Sequence, residues 1–278
     1  MNQGTVIIAA HDEEAVIGRT LDALGDVIAD ESVRVVVVSN GCTDRTADVA
    51  AGHHGVRVVD ITVASKAAAL REGDLHAASG PRIYLDADIV LTSRAARDVI
   101  DALTHGAIAA RPPHSFDSSR ATWIVRAWYR VRAELPSISA ALWGAGCYAL
   151  SEEGRARFAE FPDLVSDDLF IDSLFTAREI TIVATDPVIV TTPRTTADLL
   201  RILRRSYRTQ SEVAASHSRL SDGQRGQLGD LAALLRRNPA RVADVLVYVA
   251  VIGVGRFRAR AARSTVGWER DSSSRQLD

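Results

Sequence analysis

The first 110 residues alternate between two kinds of segment, and that alternation limits the folds open to the chain. Short β-rich apolar runs occur at TVIIAA (5–10), RVVVV (34–38), VRVVDI (56–61) and RIYLD (82–86), with GAIAA (106–110) as a further strand candidate. Helical spacing fills the intervals. Val16, Ile17, Leu21 and Leu24 recur at helical intervals after the first run, and TDRTADVA follows the second with Thr43 and Asp44 placed to cap a helix. SKAAALREGDLHAA (65–78) and SRAARDVIDAL (93–103) follow the third and fourth, the former stopped by Gly80-Pro81. Consecutive parallel strands need a crossover of a dozen or more residues, which a helix provides. Strands that are apolar throughout are buried on both faces. The pattern therefore predicts an α/β fold with a mostly parallel central sheet flanked by helices.

Polar residues gather where these strands end: His11-Asp12, Ser39-Asn40 and Asp86-Ala87-Asp88. In open α/β sheets that edge is where ligands bind. YLDADIV (84–90) is the sharpest case, because a buried strand has no use for two carboxylates one residue apart. Residues i and i+2 of a strand share a face, so Asp86 and Asp88 can converge on one cation. Carboxylate oxygens suit Mg²⁺ or Mn²⁺, and such a metal neutralises a leaving diphosphate. Read alone, D-A-D is equally a polar strand exit with Asp88 capping a turn. No Gly-x-Gly-x-x-Gly follows the first strand and no Walker pattern occurs, so a dinucleotide or P-loop site has no local support.

Beyond residue 110 the pattern is less regular. RATWIVRAWYRVRAEL (120–135) reads as helical, and LWGAGCYALS (142–151) leads small residues into a strand-like run. FPDLVSDDLFIDSLFTAR (161–178) contains a helix starting near Asp167, and ITIVA and PVIVTT (180–192) read as two strands paired with each other. An Arg-rich helix from Thr195 to about His217 and helical segments at 224–236 and 239–254 make a C-terminal extension.

Mean hydropathy is +0.02 and 47% of residues are hydrophobic, enough for a sizeable core. Residues 1–192 hold 17 Lys+Arg against 27 Asp+Glu, net −10, and residues 193–278 hold 16 against 8, net +8. The overall charge of −2 gives no reason to expect a nucleic-acid partner, whereas the basic C-terminal part suits an anionic membrane surface or an acidic protein surface. Only Cys42 and Cys147 occur, without zinc spacing or a disulfide framework, which fits a reducing compartment. The start, MNQGTVIIAAHDEE, lacks the charged and apolar regions of a signal peptide. The run from Val242 to Val254 is too short to cross a bilayer. These features predict a cytoplasmic protein, with the inner face of the cell membrane as the place of any peripheral contact.

Six segments, VIIAAHDEEAVIGRTLDAL, VVVVSNGCTDRTADVA, SKAAALREG, YLDADIVL, GAGCYAL and VSDDLFID, stand in an order and spacing that resemble the GT-A glycosyltransferases, specifically family 2 of inverting nucleotide-sugar enzymes. The resemblance covers roughly residues 4–192. It implies a GT-A (Rossmann-like) catalytic domain over 1–192, with a nucleotide-sugar half to about 110 and an acceptor half over 111–192. An Arg-rich extension over 193–260 and a polar tail over 261–278 would follow.

The resemblance also assigns residues. Ala9 to Glu14 matches the first strand end, which holds the nucleotide base, with His11 at the usual aromatic position and Glu14 beside it. Ser39 and Asn40 stand where the family usually has acids that bind base or ribose, which removes the local reason for expecting uracil. Lys66, the only lysine beside 32 arginines, matches the segment that approaches the donor, as does Arg71. Asp86, Ala87 and Asp88 match the D-x-D that binds metal and diphosphate, with Asp88 the more direct ligand and Asp86 the ribose- or metal-side partner. Gly144-Ala145-Gly146 resembles the loop that leaves room at the junction of donor sugar and acceptor, with Gly146 a donor-binding candidate, and a strand-entry turn explains these small residues equally well. Ser166-Asp167-Asp168 matches the segment whose final carboxylate deprotonates the acceptor, which points to Asp168, with Asp167 in that place if the pair is shifted. A plain helix cap explains Ser166 or Asp167 equally well.

The Q-x-x-R-W segment of processive relatives has no match; the nearest basic stretch, RILRRSYRTQ (201–210), offers Arg204, Arg205 and Arg208 toward a diphosphate. Transfer of one or a few sugars to a sugar, lipid-linked or small-molecule acceptor is the expectation, with a nucleoside-diphosphate sugar as donor. The Arg-rich helices also suit a lid or a homodimer interface. Two other activities fit the same scaffold: a retaining glycosyltransferase or nucleotidyltransferase, and a non-catalytic sugar-nucleotide-binding protein.

Overall fold

The computed structural model describes residues 4–164, 166–216 and 227–261. The expected tail over 261–278 lies outside these residues from 262 onward. Nine strands run in chain order as β1 (Thr5–Ala10), β2 (Arg34–Asn40), β3 (Val56–Ile61), β4 (Arg82–Asp86), β5 (Ala109–Arg111), β6 (His114–Asp117), β7 (Cys147–Leu150), β8 (Ile180–Ile182) and β9 (Val188–Thr191), counted among the described residues. The helices are α1 (Ile17–Ala23), α2 (Gly25–Ala29), α3 (Thr46–Ala51), α4 (Lys66–His76), α5 (Ser93–Thr104), α6 (Trp123–Ala133), α7 (Pro136–Ser139), α8 (Glu152–Arg155), α9 (Asp167–Ser173), α10 (Thr196–Ser216), α11 (Gln227–Arg237) and α12 (Val242–Ala261).

The chain forms two compact units, residues 1–114 with 142–190 and residues 115–141 with 191–278. The first contains a seven-stranded sheet in the order β3-β2-β1-β4-β7-β5-β8. Its pairs are parallel except where β7 runs antiparallel to β4 and β5. Alternation along β1 divides the core. Val6, Ile8 and Ala10 pack with Ile17, Leu21, Val99 and Leu103 on one face, and Ile7 packs with Leu70, Tyr84, Tyr148 and Phe170 on the other. Gly73 lets α4 lie against β1, because a Cβ there would fall on Ile7 Cγ2.

One expected pairing is corrected. ITIVA and PVIVTT do not pair with each other: β8 adds in parallel to β5, and β9 pairs with β6. The residues between them form no tight hairpin turn. Asp186 is instead tied back to α5, accepting from Thr92 Oγ1 at 3.0 Å, and Val188 N donates to Pro113 O.

In the second unit, α12 packs against α6 and α10. Trp128 stacks on Tyr248 with ring centroids 5.3 Å apart. Asp244 takes a two-pronged bond from Arg130 (3.0 and 2.8 Å) and a third from Arg241, whose other arm reaches Glu134 at 2.9 Å. The Arg130 hydrogen bond holds the Asp244 carboxyl below the usual carboxylate range. A depressed carboxyl stabilises the fold above its unfolded value, and that contribution disappears as pH falls through the folded value. Asp244→Asn should therefore cost about 1–2 kcal/mol near neutrality, measured by urea unfolding, and the gap from the unaltered protein should close below about pH 4.

Candidate active site

The D-A-D turn is built from both sides. β4 ends at Asp86, whose N–H donates to Gly146 O on the neighbouring β7 side at 2.8 Å. The chain then turns, with Ile89 N donating to Asp86 O. Ala87 and Ile89 point into the core while Asp86 and Asp88 stay partly open. The turn is pinned from α1: the buried Thr20 hydroxyl donates to Ala87 O at 2.7 Å, and Arg19 donates to Asp88 O at 3.1 Å. One-residue spacing thus puts two carboxylates on the same side of a fixed turn.

Lys66 opens α4, capped by Ser65, whose side chain accepts from Ala68 N. A cation in the first helical turn opposes the helix dipole, so its position needs another cause. That cause is two carboxylates: Nζ lies 2.6 Å from Asp86 Oδ1 and 2.7 Å from Asp167 Oδ1. Burial works against the charge on Lys66, but Asp167 and Asp86 outweigh it and hold the ammonium well above its ordinary range. Burial drives the Asp86 carboxyl up to about 6; Lys66 pulls it down, and Asp167 and Asp88 push it up again. The Asp86 side chain keeps 38% of its surface open to solvent.

The adjacent acids at the start of α9 have different surroundings. The Asp167 side chain is 7% exposed and committed on both oxygens, Oδ1 to Lys66 and Oδ2 as acceptor from Tyr148 OH at 2.7 Å. Asp168 is half-buried. Its Oδ1 accepts from Ser166 Oγ (2.6 Å) and Leu169 N (2.8 Å), and its Oδ2 accepts from Gly144 N (2.8 Å). The Gly-Ala-Gly loop accordingly has two tasks. Gly144 orients Asp168 through its N–H, and Gly146, at φ +63°, lets Ile89 and Asp86 pack against its backbone. A Cβ on Gly146 would stand 2.5 Å from Ile89 Cγ1 and 3.1 Å from Asp86 Oδ2.

The structure joins Lys66, Asp86, Asp167 and, through the two glycines, Asp168 in one group, with Asp88 one turn away. It treats the other expected site residues differently. His11 Nδ1 donates to Asn40 O at 2.6 Å. Ser39 and Asn40 are buried, at 0% and 2% exposure, and Asn40 Nδ2 is spent on Ala10 O. Ser39 Oγ and Asn40 Oδ1 are buried without a hydrogen-bond partner, so neither side chain faces solvent. Glu14 accepts from Arg45 N and Nε at the start of α3, and Asp44 accepts from Thr46 N there. Arg71 reaches Phe161 O and Asp163. Trp143 is buried. Arg205 belongs to the second unit, on α10, and the side chain of Arg208 lies outside the described residues.

Sequence reasoning missed Tyr148, Arg19 and Thr20. Tyr148 sits inside the GAGCYAL match, where its strand position gave the only signal. It also missed that His11, Asp12 and Cys42 bring ligand-type atoms within 4.8 Å of one another, the one such trio among the described residues. Hydrogen bonds account for that closeness: Asp12 N donates to Cys42 Sγ, and Asp12 Oδ1 accepts from Thr43 N, clamping the ends of β1 and β2.

The sequence profile of glycosyl transferase family 2 matches residues 5–146, half of the chain, from the first strand through the Gly-Ala-Gly loop. The chain belongs to glycosyl transferase family 2. Solved structures of low identity share its GT-A fold. A mannosyltransferase from Pyrobaculum calidifontis, solved with GDP-Man and Mn²⁺, is 21% identical with a TM-score of 0.59, over 94% of this chain and 76% of its own. S. aureus TarS (1–349) with UDP-GlcNAc is 13% identical with a TM-score of 0.55, over 92% and 82%. Glucosyl-3-phosphoglycerate synthase from Mycobacterium tuberculosis with phosphoglyceric acid is 19% identical with a TM-score of 0.54, over 76% and 78%. No curated protein sequence matches the chain.

Within this glycosyltransferase, Lys66 is the only cation hydrogen-bonded to both Asp86 and Asp167 among the described contacts. Lys66→Met would leave two carboxylates facing each other without it. Breaking such a pair from one side should cost on the order of 3 kcal/mol, read by urea unfolding. Lys66→Arg should recover part of the loss; a Lys66→Met variant as stable as the parent would contradict the arrangement.

Proposed function

We propose that the protein is a metal-dependent inverting glycosyltransferase that moves one sugar from a nucleoside-diphosphate sugar to an acceptor hydroxyl. The observation that carries this reading is the meeting of Lys66 with Asp86 and Asp167 at the strand ends, with Asp168 close to Lys66 and Asp88 close to Asp86. This gathering of carboxylates, with an oxygen-only donor pair on a turn pinned by Thr20 and Arg19, fits Mg²⁺ or Mn²⁺. The Mn²⁺ of the Pyrobaculum complex supports the same choice. Asp88 and Asp86 would hold the ion. When bound, it would balance the charge that develops on the departing diphosphate.

The remaining steps belong to the chain itself. Lys66 fixes Asp86 in the orientation that a donor meets. Asp167, spent on Lys66 and Tyr148, is a positioning residue. Asp168, held by Gly144 N and Ser166 Oγ, is the base that removes the acceptor proton as the hydroxyl oxygen attacks the anomeric carbon. Attack opposite the leaving group inverts the configuration. Lack of the Q-x-x-R-W segment supports single transfer over chain synthesis.

The test uses slow donor hydrolysis, with water as acceptor, on a panel of GDP-mannose, UDP-glucose and UDP-GlcNAc. Asp168→Asn should lower turnover by about 10²–10⁴-fold while nucleotide binding stays unchanged. NMR of the first-formed sugar should show the anomer opposite to that of the donor. Full turnover in Asp168→Asn, or a retained anomer, would contradict this mechanism and favour a retaining enzyme. Pyrophosphate release would favour a nucleotidyltransferase.

A further inference from the structure

α12 presents two apolar faces, and the second unit covers only one of them. Val245, Tyr248, Val251 and Gly255 turn inward, with Tyr248 stacked on Trp128 and Gly255 close to Leu203 and Tyr207. On the opposite side Val242, Leu246, Val249, Val254 and Phe257 are 51%, 67%, 50%, 44% and 74% exposed. Their spacing of four, three, five and three residues keeps them in one stripe along about four turns. Of the exposed residues between them, Ala243, Ala250 and Gly253 are small and uncharged, and Arg256 alone is charged, at the Phe257 end. Single exposed apolar residues are ordinary, but a continuous stripe of this kind marks a contact surface.

Charge identifies what the stripe meets. Arg256 and Arg258 are exposed on either side of Phe257, and Arg236 and Arg237 are exposed at the end of α11 shortly before α12 begins. Residues 193–278 carry a net charge of +8. A second copy of the chain would bring the same basic surroundings to the contact, and like charges oppose one another. An anionic lipid surface supplies both complements: acyl chains for the stripe and acidic headgroups for the arginines. No helix among the described residues is long and apolar enough to cross a membrane, so a helix of this kind lies in the interface. We infer that the outer face of α12 docks on an anionic bilayer, with Leu246, Val249 and Phe257 seated among the upper acyl chains and the flanking arginines among the headgroups.

The docking surface belongs to the second unit alone and is independent of donor chemistry. The experiment is co-sedimentation of the full chain, without nucleotide, with vesicles of phosphatidylglycerol and phosphatidylcholine mixed, and with phosphatidylcholine alone. Binding to the anionic vesicles is expected, weaker binding to the neutral ones, and weakening of the former as salt shortens the Debye length from about 10 Å at 0.1 M to about 3 Å at 1 M. Leu246→Glu with Phe257→Glu should lower anionic binding by at least about tenfold. Arg237→Gln with Arg258→Gln should narrow the preference for anionic vesicles while leaving the stripe intact. Circular dichroism establishes that each variant is folded. Absence of vesicle binding by the folded parent, or binding indifferent to Leu246→Glu with Phe257→Glu, would overturn the inference. So would a concentration-dependent dimer that the same substitutions dissolve and vesicles do not. Nucleotide titration of the same preparation reports on the catalytic unit separately, so failure of one reading does not imply failure of the other.

Discussion

The contact of Lys66 with Asp86 and Asp167 is the interaction on which the rest of the site depends. It joins the first turn of α4 and the end of β4, which follow one another in the chain, to the distant start of α9. An ammonium at a helix N-terminus and the enclosed Asp167 carboxylate are each unfavourable alone. Together they compensate one another, and the compensation fixes where α4 and α9 begin relative to the D-A-D turn. Gly73 serves the same end by allowing α4 to approach β1 closely enough for Lys66 to reach the strand edge.

This contact also separates the roles of neighbouring acids. Asp167 is enclosed and ion-paired with Lys66, so it acts as an internal counter-charge. Asp168, one residue on, is half-buried and is oriented by two backbone N–H groups and a hydroxyl. Asp86 and Asp88 differ likewise, the first tied to Lys66 and the second held through its backbone by Arg19. Adjacent or nearly adjacent carboxylates therefore meet different environments, the condition under which two acids can take different chemical tasks.

Much of this was legible in the sequence because it rests on local periodicity. Alternating strand and helix segments predicted that β1 to β4 run parallel, and the residues at the strand ends include the ones that meet. Single lysine usage made Lys66 conspicuous. What was not legible depends on long-range partners. β6 is a four-residue strand whose partner β9 is more than seventy residues away, and β8 and β9 looked like a hairpin because their distant partners leave no local trace. Ser39 and Asn40 stand at the expected ligand positions, and neither their burial nor the bond from Asn40 Nδ2 to Ala10 O, which braces β1 against β2, is readable from spacing. Glu14 is drawn to the start of α3 by exposed backbone N–H groups, a competition that spacing alone does not reveal. Tyr148 reads as an ordinary strand aromatic until Asp167 is found beneath its hydroxyl.

The central claim is that the carboxylate cluster around Lys66 is a divalent-cation-dependent diphosphate site. Calorimetric titration of the protein with UDP, GDP and dTDP, each with Mn²⁺ and again with excess chelator, tests it most directly, with Asp88→Asn as the comparison. The account predicts that one nucleotide binds in the presence of Mn²⁺, and that both the chelator and Asp88→Asn abolish the binding. Nucleotide binding of equal strength with chelator present and in Asp88→Asn would contradict it.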